Sequence, residues 1–244
     1  MARPRRVRNV LEFGANRVLS TLGYELRDRV LNERPEGFPG YLEAAQRLGM
    51  DVNDYEEQNL GWRLPGPTLE EIVYPYLRPD SIVCEIGPGT GRWSRHIMQH
   101  VPRGELHLVD ASPWMVRFLR TYFRQAPNVS AHLSNGQSLP FERAAWMDLV
   151  FSANTLVELK LGIVYYYALD FARVLKPGGY AVVDYIDPTT PEGWQHLQTQ
   201  GSEMAGVYTF HAAEVIDRVF ESAGFTIERR HQVGKSTFVI ARRA

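Results

Sequence analysis

One stretch limits what this chain can become: Val83-Cys84-Glu85-Ile86-Gly87-Pro88-Gly89-Thr90-Gly91. The apolar run Ser81–Ile86 predicts a buried strand. It breaks into three glycines at alternate positions, and Arg92 to His100 then predict a helix. Strand, glycine turn and helix together build a crevice in which a ligand approaches the backbone with no Cβ in its way. The flanks decide which kind of crevice. A Walker loop needs Lys and Ser/Thr after the last glycine, whereas Arg92-Trp93 stands here. The dinucleotide fingerprint is G-x-G-x-x-G, whereas the spacing here is G-x-G-x-G with Glu85 two residues ahead of it. A carboxylate at that point would repel a pyrophosphate and suits a cationic ligand.

The next apolar run, Glu105–Asp110, predicts a second strand ending in an acid, where a ribose diol can be held. Further along stand Asn135-Gly136-Gln137-Ser138-Leu139-Pro140-Phe141, Met147-Asp148-Leu149-Val150-Phe151-Ser152 and Val174-Leu175-Lys176-Pro177-Gly178-Gly179-Tyr180. With the glycine stretch and Val109-Asp110-Ala111-Ser112 these make five segments. In order and spacing, from about Pro67 to the C-terminus, the chain resembles a class I S-adenosylmethionine (SAM)-dependent methyltransferase of the small-molecule type. The resemblance implies an α/β fold, a doubly wound, mostly parallel seven-stranded sheet of order 3-2-1-4-5-7-6. It divides the chain into a helical cap over residues 1–66 and a methyltransferase domain over 67–244.

The resemblance also implies roles. Glu85, Gly87, Gly89 and Gly91 would hold the amino-acid end of SAM. Asp110 would take the ribose hydroxyls, and Ala111 with Ser112 or Met115 would flank the adenine. Asn135 and Gly136 would read the adenine edge, Asn135 through its amide oxygen where an Asp is common. Ser152 would offer backbone near the sulfonium.

Composition is that of an ordinary globular chain, with 44% hydrophobic and 23% charged residues. The charge is unevenly spread. Residues 1–30 carry seven arginines against three acids, leaving 20 of the 27 basic and 25 of the 28 acidic side chains for the rest. The main body therefore lacks the basic face a nucleic acid requires. The single Cys84 reads as a small core residue in a reducing compartment, which points to the cytoplasm. Residues 1–35 lack the apolar region of a signal peptide. Val7, Val10, Leu11, Val18, Leu19 and Leu22 recur at helical spacing among arginines. Such a basic amphipathic face over residues 1–22 could lie on an anionic membrane at its inner face, pack on its own domain or meet a dimer mate. Asn32–Pro39 reads as a linker and Tyr41–Leu48 as a short helix. Met50–Leu64 reads as irregular, with Tyr55, Trp62 and Arg63 as candidates for the methionine carboxylate.

The acceptor side follows the fourth strand. Ser152-Ala153-Asn154-Thr155-Leu156-Val157-Glu158 lacks the Asn/Asp-Pro-Pro-aromatic run of amino-type DNA methyltransferases, which argues against base methylation. The segment 187–208 carries Trp194, His196 and Tyr208 and is expected to roof an acceptor pocket. A sulfonium methyl is already electrophilic, so the protein aligns a nucleophile with it. A hydroxyl must also lose its proton to a His or carboxylate. His211, Glu158, Asp187 and His196 are the candidates. Strand alternation puts Asp184 and Asp187 on opposite faces, so no metal is expected. The expected reaction is O-methylation of a small molecule, such as a sugar or lipid-linked glycan. An N-methyltransferase acting on an amine or amino sugar, and a SAM-binding partner subunit without turnover, remain open.

Overall fold

Short apolar runs bounded by turn residues become strands here because both faces of the sheet are covered. In the computed structural model, which describes residues 38–59, 64–201 and 206–244, seven strands form one sheet. They are β1 (Ile82–Ile86), β2 (Glu105–Asp110), β3 (Val129–Leu133), β4 (Met147–Ser152), β5 (Leu175–Tyr185), β6 (Phe225–Val233) and β7 (Ser236–Arg243). Their order is β3-β2-β1-β4-β5-β7-β6, as the resemblance implied. β1 to β5 run parallel, and β7 lies antiparallel to both β5 and β6. All six residues of β4 are buried, as expected of a parallel strand covered on both faces.

The helices are α1 (Phe38–Leu48), α2 (Val52–Asn59), α3 (Pro65–Ile72), α4 (Ser94–His100), α5 (Pro113–Tyr122), α6 (Leu161–Val174), α7 (Pro191–Thr199) and α8 (Ala213–Ser222). Leu69, Ile97 and Leu119 bring α3, α4 and α5 onto one face, against Phe151 of β4. Phe171 and Phe220 bring α6 and α8 onto the other, against Val150. Each such aromatic, fully buried, stabilises by about 3–5 kcal/mol relative to Ala. The strand order reverses between β1 and β4, and this topological switch leaves a crevice beyond their carboxyl ends. The register aligns those ends: Ile86 pairs with Val109 on one side and Ser152 on the other, and Ser152 pairs with Val183.

One expectation is corrected. Residues 50–64 contain α2 rather than irregular chain. Asp51 opens this helix, its Oδ1 accepting from the Asn53 and Asp54 backbone N–H groups. α6 ends at Val174, and β5 follows it directly, taking in Lys176-Pro177-Gly178-Gly179. The basic stretch 1–22, and with it the proposed membrane contact, lies outside the described residues, as do Trp62 and Arg63. Among the described residues no helix is long and apolar enough to cross a membrane.

Candidate active site

The three glycines of the turn have φ of 65°, 56° and 86° at Gly87, Gly89 and Gly91, a region that side chains rarely adopt. Their surroundings differ. A Cβ on Gly87 would lie 2.0 Å from Thr155 Oγ1, and one on Gly91 would lie 2.6 Å from the Phe123 ring. At Gly89 nothing stands within 4 Å, and this residue lines the cleft. The first and third glycines therefore admit neighbouring side chains, and the middle one leaves room for a ligand. The turn is pinned to β2 by the Gly87 N–H, which donates to the Val109 carbonyl at 2.9 Å.

Glu85 is buried beneath this turn, and the Ser94 hydroxyl of α4 donates to its Oε2 at 2.6 Å. Burial pushes its pKa up to about 7, against the opposing pull of the Ser94 bond and of Arg92. The acid thus couples the last turn of β1 to the start of α4. At the end of β2, Asp110 Oδ1 accepts from the Ser112 N–H at 2.8 Å. Burial raises its pKa to about 6, with the Ser112 and Ala111 backbone bonds working the other way. Ser112 caps α5 by accepting from the Met115 N–H, and Met115 itself is buried in the core.

Ala111 and Gly136 meet at the next loop, where a Cβ on Gly136, at φ 73°, would lie 3.4 Å from the Ala111 methyl. The β2 and β3 ends therefore form one continuous edge. Asn135 is exposed on it, but its amide oxygen is already used. Oδ1 accepts from the Gln137 N–H at 2.8 Å, the Ser138 N–H at 2.9 Å and the Ser138 hydroxyl at 3.2 Å. An Asx turn has claimed the acceptor that sequence reasoning reserved for the adenine amine. The amide NH2 is the group left to face a ring nitrogen. Ser152 is fully buried and donates to the Ile86 carbonyl at 3.1 Å, locking β4 to β1 under the crevice.

A cleft of about 740 Å³ extends from the glycine turn across the β4 and β5 ends. Its far wall contains Glu158, Asp184, Tyr208 and Lys235. Glu158, at the end of a 3-10 turn over Leu156–Glu158, is exposed at the surface of the cleft. Surrounding atoms raise its pKa above the ordinary carboxylate range, and Lys235 opposes that rise. Asp184 is buried, accepting from the Asn154 N–H with both oxygens and from the Ser236 hydroxyl with Oδ2. Burial raises its pKa to about 6.

The other catalytic candidates stand elsewhere. Asp187 has both oxygens engaged, Oδ1 by the Thr189 N–H and hydroxyl and Oδ2 by the Ala213 N–H at the start of α8. It is a buried turn-and-cap residue away from the cleft lining. His211 lines a separate cavity of about 10 Å³, the size of one water molecule, behind Asp184. Its Nε2 is buried without a hydrogen-bond partner among the described residues, and burial lowers its pKa. His196 packs edge-on against Tyr208, their ring centres 5.1 Å apart. Of the four candidates, the structure brings only Glu158 into the cleft.

Sequence reasoning missed the contribution of α2. Its polar face meets α4: Arg95 pairs with Asp54 at 2.5 Å and Glu57 at 2.8 Å, and Arg92 lies 3.8 Å from Glu56. Asn53 Nδ2 donates to the Thr90 carbonyl, inside the glycine turn, at 3.1 Å. Glu56 and Arg92 both line the cleft. The alternation of acids and amides in Asp51–Asn59 was the available signal.

This arrangement suits SAM. Gly89 leaves open space beside the turn, and Asp110, Ala111 and Gly136 stand at the adjoining strand ends, outside the lining of the cleft. Comparison with known proteins agrees. Residues 83–179 match the profile of a family described as a methyltransferase domain. That match and the order of the sheet are those expected of a class I S-adenosylmethionine-dependent methyltransferase. Similar solved structures include a SAM-dependent methyltransferase from Aquifex aeolicus, at 22% identity and a TM-score of 0.57 over 74% of this chain and 89% of that one. A structure of the complex formed by the Haloferax volcanii Trm112 methyltransferase activator aligns at 16% identity and a TM-score of 0.64, over 86% of this chain and 99% of the other. Geranyl diphosphate C-methyltransferase from Streptomyces coelicolor, solved with S-adenosyl-L-homocysteine, aligns at 13% identity and a TM-score of 0.59, over 74% and 75%. At these identities the likeness is one of fold. No protein of curated function matches the chain.

Proposed function

We propose that this methyltransferase methylates a hydroxyl oxygen on a small molecule of sugar or glycan type, with Glu158 as the base. The observation that carries this reading is that the Glu158 carboxylate opens on the same cleft as the glycine turn. When bound, SAM supplies an electrophilic methyl carbon on its sulfonium. Gly87, Gly89 and Asp110 orient it, and α2 closes the cleft beside Thr90. Glu158 would take the acceptor's hydroxyl proton as the O–CH3 bond forms and the S–CH3 bond of SAM breaks, leaving S-adenosylhomocysteine. A carboxylate with a raised pKa is the better base for this step. The Tyr208 ring in the cleft lining is a face on which a sugar can stack once the Lys235 ammonium, 3.6 Å from its centre, leaves it.

The test is methyl-labelled SAM with a panel of hydroxyl and amine acceptors, sugars included. The reading expects label on oxygen. With the acceptor found, Glu158→Gln should lower kcat by about 10²–10⁴, the usual contribution of a general base. It should also remove the rise of rate with pH. Label on nitrogen, with Glu158→Gln near wild-type rate, would contradict it.

A further inference from the structure

Two cations line the cleft among the described residues. Arg92 sits under α2 beside Glu56 and belongs to the docking of that helix. Lys235 is different. It stands at the tip of the β6–β7 hairpin, after Gly234 with φ 59°, on the acceptor side of the cleft. Its ammonium rests 3.6 Å from the centre of the Tyr208 ring. A cation on an aromatic face is held by the ring quadrupole, which satisfies none of its three N–H donors. Among the described residues no carboxylate forms an ion pair with it.

The backbone beneath Lys235 is fixed by its neighbour. The neighbouring Ser236 hydroxyl donates to Asp184 Oδ2 at 2.9 Å, and the same carboxylate receives the Asn154 N–H at 3.0 Å. A buried acid thereby ties the hairpin tip to the loop after β4, on which Glu158 follows. The cleft wall therefore presents a cation with unspent donors and, near enough to oppose its pKa rise, a carboxylate. Partly desolvated ammonium groups gain most from charge-assisted bonds to an anion.

We infer that the acceptor carries an anionic group, a carboxylate or a phosphate, and that Lys235 holds it while the hydroxyl to be methylated turns towards Glu158. The inference rests on the O-methyltransferase reading above and adds the charge of the substrate. Lys235 leaves Tyr208 for the anion, and the freed ring is then available to the body of the acceptor.

The experiment is calorimetric titration of the full chain loaded with S-adenosylhomocysteine. The probes are two matched pairs, 4-hydroxybenzoate against 4-hydroxybenzamide and glycerol 3-phosphate against glycerol. At least one anion should bind about tenfold or more tightly than its neutral twin, as expected of a charge-assisted contact. The pair showing the preference identifies carboxylate or phosphate. Lys235→Met should erase that preference and Lys235→Arg should keep it, with S-adenosylhomocysteine affinity as the control for an intact fold. If neither pair shows a preference, or Lys235→Met retains it, the inference is overturned. Failure of the wild type to bind S-adenosylhomocysteine at all is a distinct result, and it removes the cofactor reading together with this one.

Discussion

The Thr155 hydroxyl donates to the Gly87 carbonyl across 3.2 Å, and the same side chain occupies the space a Cβ on Gly87 would need. The glycine turn is thus packed from the acceptor side, by the loop after β4. Gly87→Ala should destabilise the chain by about 2–4 kcal/mol, combining the left-handed backbone cost with overpacking. Gly89→Ala faces open space, so only the backbone cost of about 1–2 kcal/mol applies. Denaturant unfolding should therefore separate the two variants. SAM affinity should fall in both.

Glu85 gives a pH signature. Its folded pKa, about 7, lies above the ordinary value of 4.5. The folded state therefore holds a proton there that the unfolded chain has lost. Its contribution is least unfavourable below about pH 4.5, worsens as pH rises, and costs up to about 3 kcal/mol above pH 7. Glu85→Gln should gain stability relative to wild type between pH 5 and pH 8 when measured without cofactor. A difference independent of pH would refute the assignment of that proton.

The docking of α2 onto the turn rests on Asn53 and on the ion pairs of Arg95. Asn53→Ala leaves the Thr90 carbonyl without this partner and should cost about 1–2 kcal/mol. Because Glu56 of the same helix lines the cleft, SAM affinity should weaken in parallel. Arg95→Met should make cleavage within residues 51–59 faster in limited proteolysis. An unchanged cleavage rate would show that the ion pairs do not hold the helix.

The parallel sheet was legible in the sequence because each central strand is a nearly unbroken apolar run. Glu105–Asp110 was placed to the residue. α2 was not legible, since Val52–Asn59 has no apolar stripe and its partners, Arg92 and Arg95, lie about 40 positions away. The acceptor wall was legible only in part. Glu158 could be read from its place after β4. Lys235 reaches the cleft through a hairpin turn, and His211 is cut off from it by Asp184, and neither fact has a local signature. Asn135 was placed correctly in the chain, but its oxygen went to its own turn, a competition among nearby donors that spacing alone does not decide.

The central claim is that a sulfonium donor lies across the ends of β1 and β2, with Asp110 on its ribose. Asp110→Ala measured by calorimetry tests this most directly. The wild type should bind SAM one to one, with affinity falling as pH drops through about 6, where Asp110 takes up its proton. Asp110→Ala should bind about 1–3 kcal/mol more weakly, the scale of a charged hydrogen bond, and lose that pH dependence. Equal affinity of the two proteins across this range would contradict the account.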